Sequence, residues 1–421
     1  MHILIIPSEQ FIPEYAPEAG IFQYHQAKIL TKAGNQVGVL SVKQTFTILM
    51  ILKALFLKLA KKKANNSCDS YTFFGLIDLM YKKMFDLKHF CRHENIEGIE
   101  VLRVDGFYYW VTADSHSVKG WVKAGHFLFE QYLEKYGRPD IIHTHNALFG
   151  GILTQEISRK YNIPYVLTEH SSQWARNEIT SASLKSKSKT AYLGSKFCLA
   201  VSSDFSDKLN NYFGFDKFRV LPNVIDPFLE NEAFEVNDEI KDKFIFFHLA
   251  AFKPVKDQLT LLKALKTVLQ QNNNIELRIA GSGILENELK AAVAEMGIGS
   301  QVKFLGFLSR DTVKTEMAGC NAFVMSSLYE TFCVVLIEAM LYGKPVIATN
   351  SGGPKDIVND RVGLLVEKSN PDELANAMLA LVTNYKNYSH EEIRRYVIDK
   401  FGADRFMKSI SGIYKEALLN G

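Results

Sequence analysis

Two carboxylates, Glu330 and Glu338, stand eight residues apart in the stretch Glu330 to Gly353, ETFCVVLIEAMLYGKPVIATNSGG. Between Thr331 and Tyr342 there is neither Gly nor Pro, and Gly343 supplies the permissive backbone expected just past a helix end. This pattern predicts a helix that starts close to Glu330. Its first turn would present unpaired N–H groups at the positive end of the helix dipole, which is an anion site. Glu338 would lie about two turns further on, roughly 12 Å along the axis. One acid could then flank each side of a bound diphosphate, one for sugar hydroxyls and one for a ribose. The plain alternative is a helix with a solvated Glu at each end.

Other groups fit the same chemistry. Gly20 follows the first strand, where a missing Cβ lets backbone N–H groups approach a phosphate; otherwise it is a turn residue. His143 and His145 form an H-x-H pair at a strand end, but no third metal ligand stands near them in sequence. His170 ends the next strand. Lys256, in Ala251-Phe252-Lys253-Pro254-Val255-Lys256-Asp257, offers a point charge, or is an ordinary solvated loop lysine. Gly281-Ser282-Gly283 joins a strand to a helix. A dinucleotide fingerprint would need a third Gly at position 286, which is Glu286, so a nicotinamide enzyme is disfavoured.

The elements that must hold these residues alternate. Ile3–Ile6, Gln36–Val42, Glu100–Val104, Asp140–Thr144, Pro164–Thr168, Phe197–Val201 and Arg219–Leu221 read as strands. Phe22–Ala33, Val118–Tyr136 and Gly150–Tyr161 read as helices between them. The second half repeats the logic from Phe244–Leu249 to Pro345–Thr349. Alternation of this kind argues for parallel sheets covered on both faces, with ligands beyond the carboxyl ends of the strands. The Asn-, Asp- and Glu-rich stretch 225–243 reads as a linker, and Ser389–Leu419 as helices.

Taken in order, these motifs resemble the retaining, nucleotide-sugar-dependent glycosyltransferases of family 4. The likeness covers nearly the whole chain outside about residues 43–98. It implies an α/β fold of two facing Rossmann-like domains (GT-B) with the active site in the inter-domain cleft. Residues 1–225 would bind the acceptor and 226–421 the nucleotide sugar, with the last helix packing back on the first domain. His170 and Glu330 would be catalytic. Gly20, Lys256, Gly281, Gly283, Phe332, Cys333, Val334, Val335 and Glu338 would bind the donor, and His145 would line the acceptor side. Pro222-Asn223-Val224-Ile225-Asp226 matches a structural element at the domain junction. Two departures stand out. Ala251 occupies the family's Arg position, with Lys253 as a substitute, and Cys333 occupies the position after Phe332 that is usually Gly. The amides of Cys333, Val334 and Val335 could still bind phosphate, and a helix start could activate the Cys333 thiol, though the chemistry does not require it. No D-x-D occurs, which fits a metal-independent enzyme without cofactor. An epimerase or phosphorylase on the same architecture, or a non-catalytic membrane-surface protein, are the alternatives.

Composition narrows the partners. Lys plus Arg total 49 against 46 acids, too balanced a charge to argue for nucleic acid. Five scattered cysteines without a C-x-x-C pair disfavour a disulfide framework or a zinc knuckle and fit a reducing, cytoplasmic compartment. The start MHILIIPS reads as a strand rather than a leader. Thr45 to Lys63 holds five lysines and no acid in a strongly apolar run, predicting a helix that contacts membrane lipids at the inner face of the plasma membrane. A second apolar helix is expected over Tyr71–Phe90. A lipid-linked or surface glycan would suit such an enzyme as acceptor.

Overall fold

The computed structural model describes residues 1–12, 20–59, 71–108, 115–230 and 243–419. Two compact units are formed. The first comprises Met1–Ala200, Leu209–Arg219 and Met407–Gly421, the second Val201–Lys208 and Val220–Phe406. The expected division at residue 225 thus falls a few residues earlier, and two segments change sides. Val201–Lys208 belongs to the second unit because Ser202 Oγ donates to Thr331 O at 2.6 Å and Ser203 N to Asp356 Oδ2 at 2.6 Å. The end of the last helix, Ala403–Leu419, belongs to the first, where Tyr414 hydrogen-bonds His143. Of the expected linker, 231–242 lies outside the described residues, and Pro227–Glu230 is a short helix.

In the first unit the strands are β1 (His2–Pro7), β2 (Gln36–Thr47), β3 (Cys91–Ile96), β4 (Ile99–Tyr108), β5 (Ile141–His145), β6 (Tyr165–Glu169), β7 (Phe197–Ala200) and β8 (Phe218–Val220). They form one sheet in the order β3-β4-β2-β1-β5-β6-β7-β8. The Ile-Leu-Ile-Ile run of β1 is wholly buried, as a central parallel strand covered on both faces must be. Its register sets Pro7 beside His145, and β5 sets His145 beside Thr168, so the carboxyl ends of three strands lie level.

The second sheet contains β9 (Phe244–Leu249), β10 (Ile275–Ala280), β11 (Val302–Gly306), β12 (Ala322–Met325), β13 (Val346–Thr349) and β14 (Gly363–Val366). All its pairings are parallel, in the order β11-β10-β9-β12-β13-β14. Strand order reverses between β9 and β12, and crevices for ligands form beyond the strand ends at such a switch point. Phe246, Leu277, Ile279, Val324 and Ile347 pack against helix residues Leu261 and Leu265 to fix this sheet.

Two local expectations are corrected. Residues 43–98, expected as a helical insertion in the first domain, are not wholly helical. β2 runs on to Thr47, the helices are Ile48–Leu59 and Phe73–Phe85, and a short 3₁₀ turn precedes β3, an antiparallel edge strand on β4. Its polar sequence CRHENI hides it from hydrophobic patterning, and its exposed edge position explains that polarity. The signature helix starts at Val334, not at Glu330. Glu330 N donates to Ser351 O at 2.9 Å and Gly353 N to Glu330 O at 2.9 Å, so Glu330 is held in a bridge to the Ser351-Gly352-Gly353 turn and cannot join the helix. Among the described residues no helix is long and apolar enough to cross a membrane.

Candidate active site

The second unit brings together three polar groups from the two strands at its switch point. β9 feeds a loop ending in the 3₁₀ turn Pro254–Lys256, and β12 feeds Ser326 and Ser327. Lys256 Nζ donates to Glu330 Oε1 at 2.5 Å, and Ser327 Oγ donates to the same oxygen at 2.6 Å. The backbone carries the same join: Leu328 N donates to Val255 O at 2.8 Å and Ser326 Oγ to Lys256 O at 3.0 Å. Lys256 and Glu330 were expected from sequence; Ser327 was not, and the polar pair following a fully apolar strand was its only signal.

Gly281 and Gly283 act on this loop through sterics. A Cβ at Gly281 would lie 1.9 Å from Ala250 O and one at Gly283 2.5 Å from Phe252 O. Any side chain there would push away the loop that carries Lys256. Gly353 does the same for the signature, since a Cβ would come within 2.4 Å of Phe332 Cα. Lys253 is exposed on the loop.

The Phe332 side chain points into the core. Its ring is buried edge-on against Phe401 at 5.4 Å, so only its backbone borders the helix start. Cys333 caps that helix at φ 84, ψ 68, in the left-handed region that favours glycine. Burial, then the nearby Glu330 charge, raises its thiol well above the ordinary range, against the lowering a helix start could give. Val334 and Val335 follow in the first turn, whose N–H groups have no partner within the helix. Glu338 lies one turn in. Burial pushes its carboxyl up to about 7, opposed by Arg310, which forms an ion pair with Asp226. That acid–base–acid group was not foreseen, because its members are far apart in sequence.

In the first unit the strand ends gather histidines. His143, His145 and His170 stack in series, with centroids 4.5 Å and 5.2 Å apart, and Phe22 lies 4.3 Å from His170. His143 has a structural role, with Nδ1 on Tyr414 Oη at 2.7 Å and Nε2 on Thr168 Oγ1 at 2.8 Å. His145 Nδ1 and His170 Nε2 share a hydrogen bond of 3.0 Å, leaving His145 Nε2 and His170 Nδ1 buried without a partner. Burial lowers all three pKa values, to about 3 for His143 and His170, so the imidazoles are neutral at physiological pH. A neutral pair sharing one hydrogen bond has one donating and one accepting free nitrogen, and exchanging them requires both rings to change tautomer together.

The backbone carrying this pair is clamped by Glu169, which sequence reasoning passed over. Its Oε2 accepts from Ala147 N at 2.9 Å and from Tyr192 Oη, and its Oε1 from Ser171 N at 2.8 Å and His170 N at 3.1 Å. Burial raises it to about 6. Asn146 adds a second tie, accepting from His170 N at 2.8 Å and donating to Glu9 at 2.6 Å. Gly20 caps the helix Ile21–Lys32 at φ 71, while its neighbours Glu18 and Ala19 lie outside the described residues. No three His, Cys, Asp or Glu side chains among the described residues are arranged to hold a metal ion.

This fold and these motifs have known counterparts. Residues 91–228 match the model of Glycosyltransferase Family 4 and residues 230–398 that of Glycosyl transferases group 1. An uncharacterized glycosyltransferase of Methanocaldococcus jannaschii is 27% identical over 77% of this chain and 87% of its own. The UDP-Gal:alpha-D-GlcNAc-diphosphoundecaprenol alpha-1,3-galactosyltransferase of Escherichia coli is 26% identical over 68% of this chain and 77% of its own. Sucrose-phosphate synthase from Thermosynechococcus elongatus superposes with a TM-score of 0.74 at 18% identity, covering 100% of both chains. The two parallel-sheet units are those of the GT-B fold. The chain belongs to the group 1, family 4 glycosyltransferases.

Proposed function

We propose that this chain transfers a sugar from a uridine diphosphate sugar to a hydroxyl of a lipid-linked glycan, with retention of configuration and without a metal, in the building of a surface polysaccharide at the cytoplasmic face of a membrane. The observation that carries this reading is the Lys256–Ser327–Glu330 cluster at the switch point of the second sheet, beside the first turn of the helix Val334–Leu341. The Escherichia coli relative's donor and acceptor support the choice of base and of a lipid carrier.

In this reading the second unit holds the donor. Lys256 and the helix amides oppose the charge that grows on the departing diphosphate, a part other enzymes give to a metal. Glu330 accepts hydrogen bonds from the sugar hydroxyls, and Glu338 from the ribose. The bond from the anomeric carbon to the phosphate oxygen breaks while the acceptor oxygen bonds to the same face. The acceptor proton passes to the leaving phosphate oxygen. The family resemblance assigns His170 to the reacting sugar and His145 to the acceptor. Because the His145–His170 pair is neutral, it acts by hydrogen bonding rather than by charge.

The experiment is product analysis with UDP-sugars and a polyprenyl-diphosphate glycan, with EDTA present. The account predicts a glycoside of the donor's anomeric configuration. It predicts turnover lower by about 10²-fold or more in Glu330→Gln, with an unchanged melting temperature. An inverted product, or full turnover in that variant, would refute it.

A further inference from the structure

We infer that the helical hairpin of the first unit, Ile48–Leu59 and Phe73–Phe85, is an anchor that lays two apolar stripes into the surface of an anionic lipid bilayer. A lipid-linked acceptor keeps the substrate in a membrane, and the anchor rests on the preceding reading for that purpose.

Each helix is apolar on two opposite faces. Inward, Ile51 and Ala54 pack with Leu76 and Leu79 in a small core of their own. Outward, Leu52, Phe56 and Leu59 on the first helix are exposed, and so are Phe74, Ile77, Tyr81 and Phe85 on the second. Spacings of three and four residues place each set in a single stripe along its helix. Phe56 is 71% exposed, Phe74 80% and Phe85 70%. Single apolar side chains on a surface are ordinary, but seven exposed large apolar side chains at helical spacing on one hairpin mark an interaction surface.

Charge and length identify the occupant. Residues 45–90 hold eight lysines against three acids, in a chain whose net charge is +3. Lys53 is exposed beside the first stripe, and Lys82, paired with Asp78 at 2.7 Å, flanks the second. Lysines beside an apolar stripe reach up to headgroup phosphates while the stripe sits among the acyl chains. A second copy of the same face would set lysine against lysine. Helices of 12 and 13 residues are too short to span a bilayer and suit its interface.

Sedimentation of the full chain with phosphatidylglycerol or phosphatidylcholine vesicles tests the anchor. Wild-type protein should bind phosphatidylglycerol, bind phosphatidylcholine less, and lose the difference in high salt. The combined variant Phe56→Asp, Phe74→Asp, Phe85→Asp should lose about a hundredfold of the partition, because three apolar side chains leave the interface. Its melting temperature and its stabilisation by UDP should match wild type, since all three side chains are exposed. Lys53→Glu, a milder change, should weaken phosphatidylglycerol binding about fivefold and leave phosphatidylcholine binding alone. Wild-type protein that ignores both lipids overturns the anchor, as does a triple variant that binds like wild type. Loss of a dimer in place of vesicle binding would also overturn it and assign the face to a second copy. Vesicle binding that depends on the phenylalanines, without UDP stabilisation in either protein, supports the anchor and counts against the donor reading instead.

Discussion

Cys333 shows how much one backbone angle can carry. At φ 84 the chain turns from the bridge at Glu330 into the helix Val334–Leu341, and the turn aims that helix start beside Glu330 and Lys256. Glycine adopts such an angle freely, whereas a Cβ there costs on the order of 1–2 kcal/mol. A cysteine does not itself suggest a left-handed residue, and the one signal for the angle was that the resembled family usually has Gly at this position. Cys333→Gly should therefore stay within about 1 kcal/mol of wild type, as relief of strain offsets lost burial. Cys333→Val should lose about 1–3 kcal/mol, because a branched Cβ fits that region worst. Urea unfolding measures both, and a valine variant as stable as wild type would contradict the strain. Lys256 and Glu330 were legible as residues through their motifs. Their contact was not, because 74 positions separate them and only the strand order closes that gap.

At the scale of elements, both units place their polar residues where parallel strands end. The strands β1, β5, β9 and β12 were plain from sequence, and so were most helices between them. What escaped was polar or local: the edge strand β3, the later start of the signature helix, and the clamp made by Glu169. Each depends on tertiary partners rather than on periodicity. Glu169 shows this best, since a buried carboxylate at a strand end looks like any acid until its four donors are in place. The His145–His170 bond depends on the same strand ends and gives His145 a positioning role. His145→Phe keeps the stacked ring but removes the shared proton. Turnover should fall about tenfold or more, with little change in donor KM or in stabilisation by UDP. A matching rise in KM with unchanged kcat would instead make His145 a simple binding residue.

For the whole molecule, the division of labour follows topology. The second sheet has the order in which a reversal between β9 and β12 creates a ligand crevice, and the Lys256–Ser327–Glu330 cluster occupies that reversal. The first sheet carries the histidine pair at its own strand ends and, inserted between β2 and β3, the lysine-rich hairpin. The two family models meet at residues 228 and 230. The class of protein was therefore readable from motifs in order, while the wiring within each site needed the fold. The central claim is that the second unit holds a nucleoside diphosphate against Lys256. A thermal unfolding titration with UDP, on wild-type protein and Lys256→Ala, tests it most directly. The account predicts stabilisation of wild type by about 2.7 kcal/mol at a hundredfold excess over Kd, with about tenfold weaker binding in the variant. Wild-type protein that UDP leaves unchanged, or a variant that UDP stabilises equally, would contradict it.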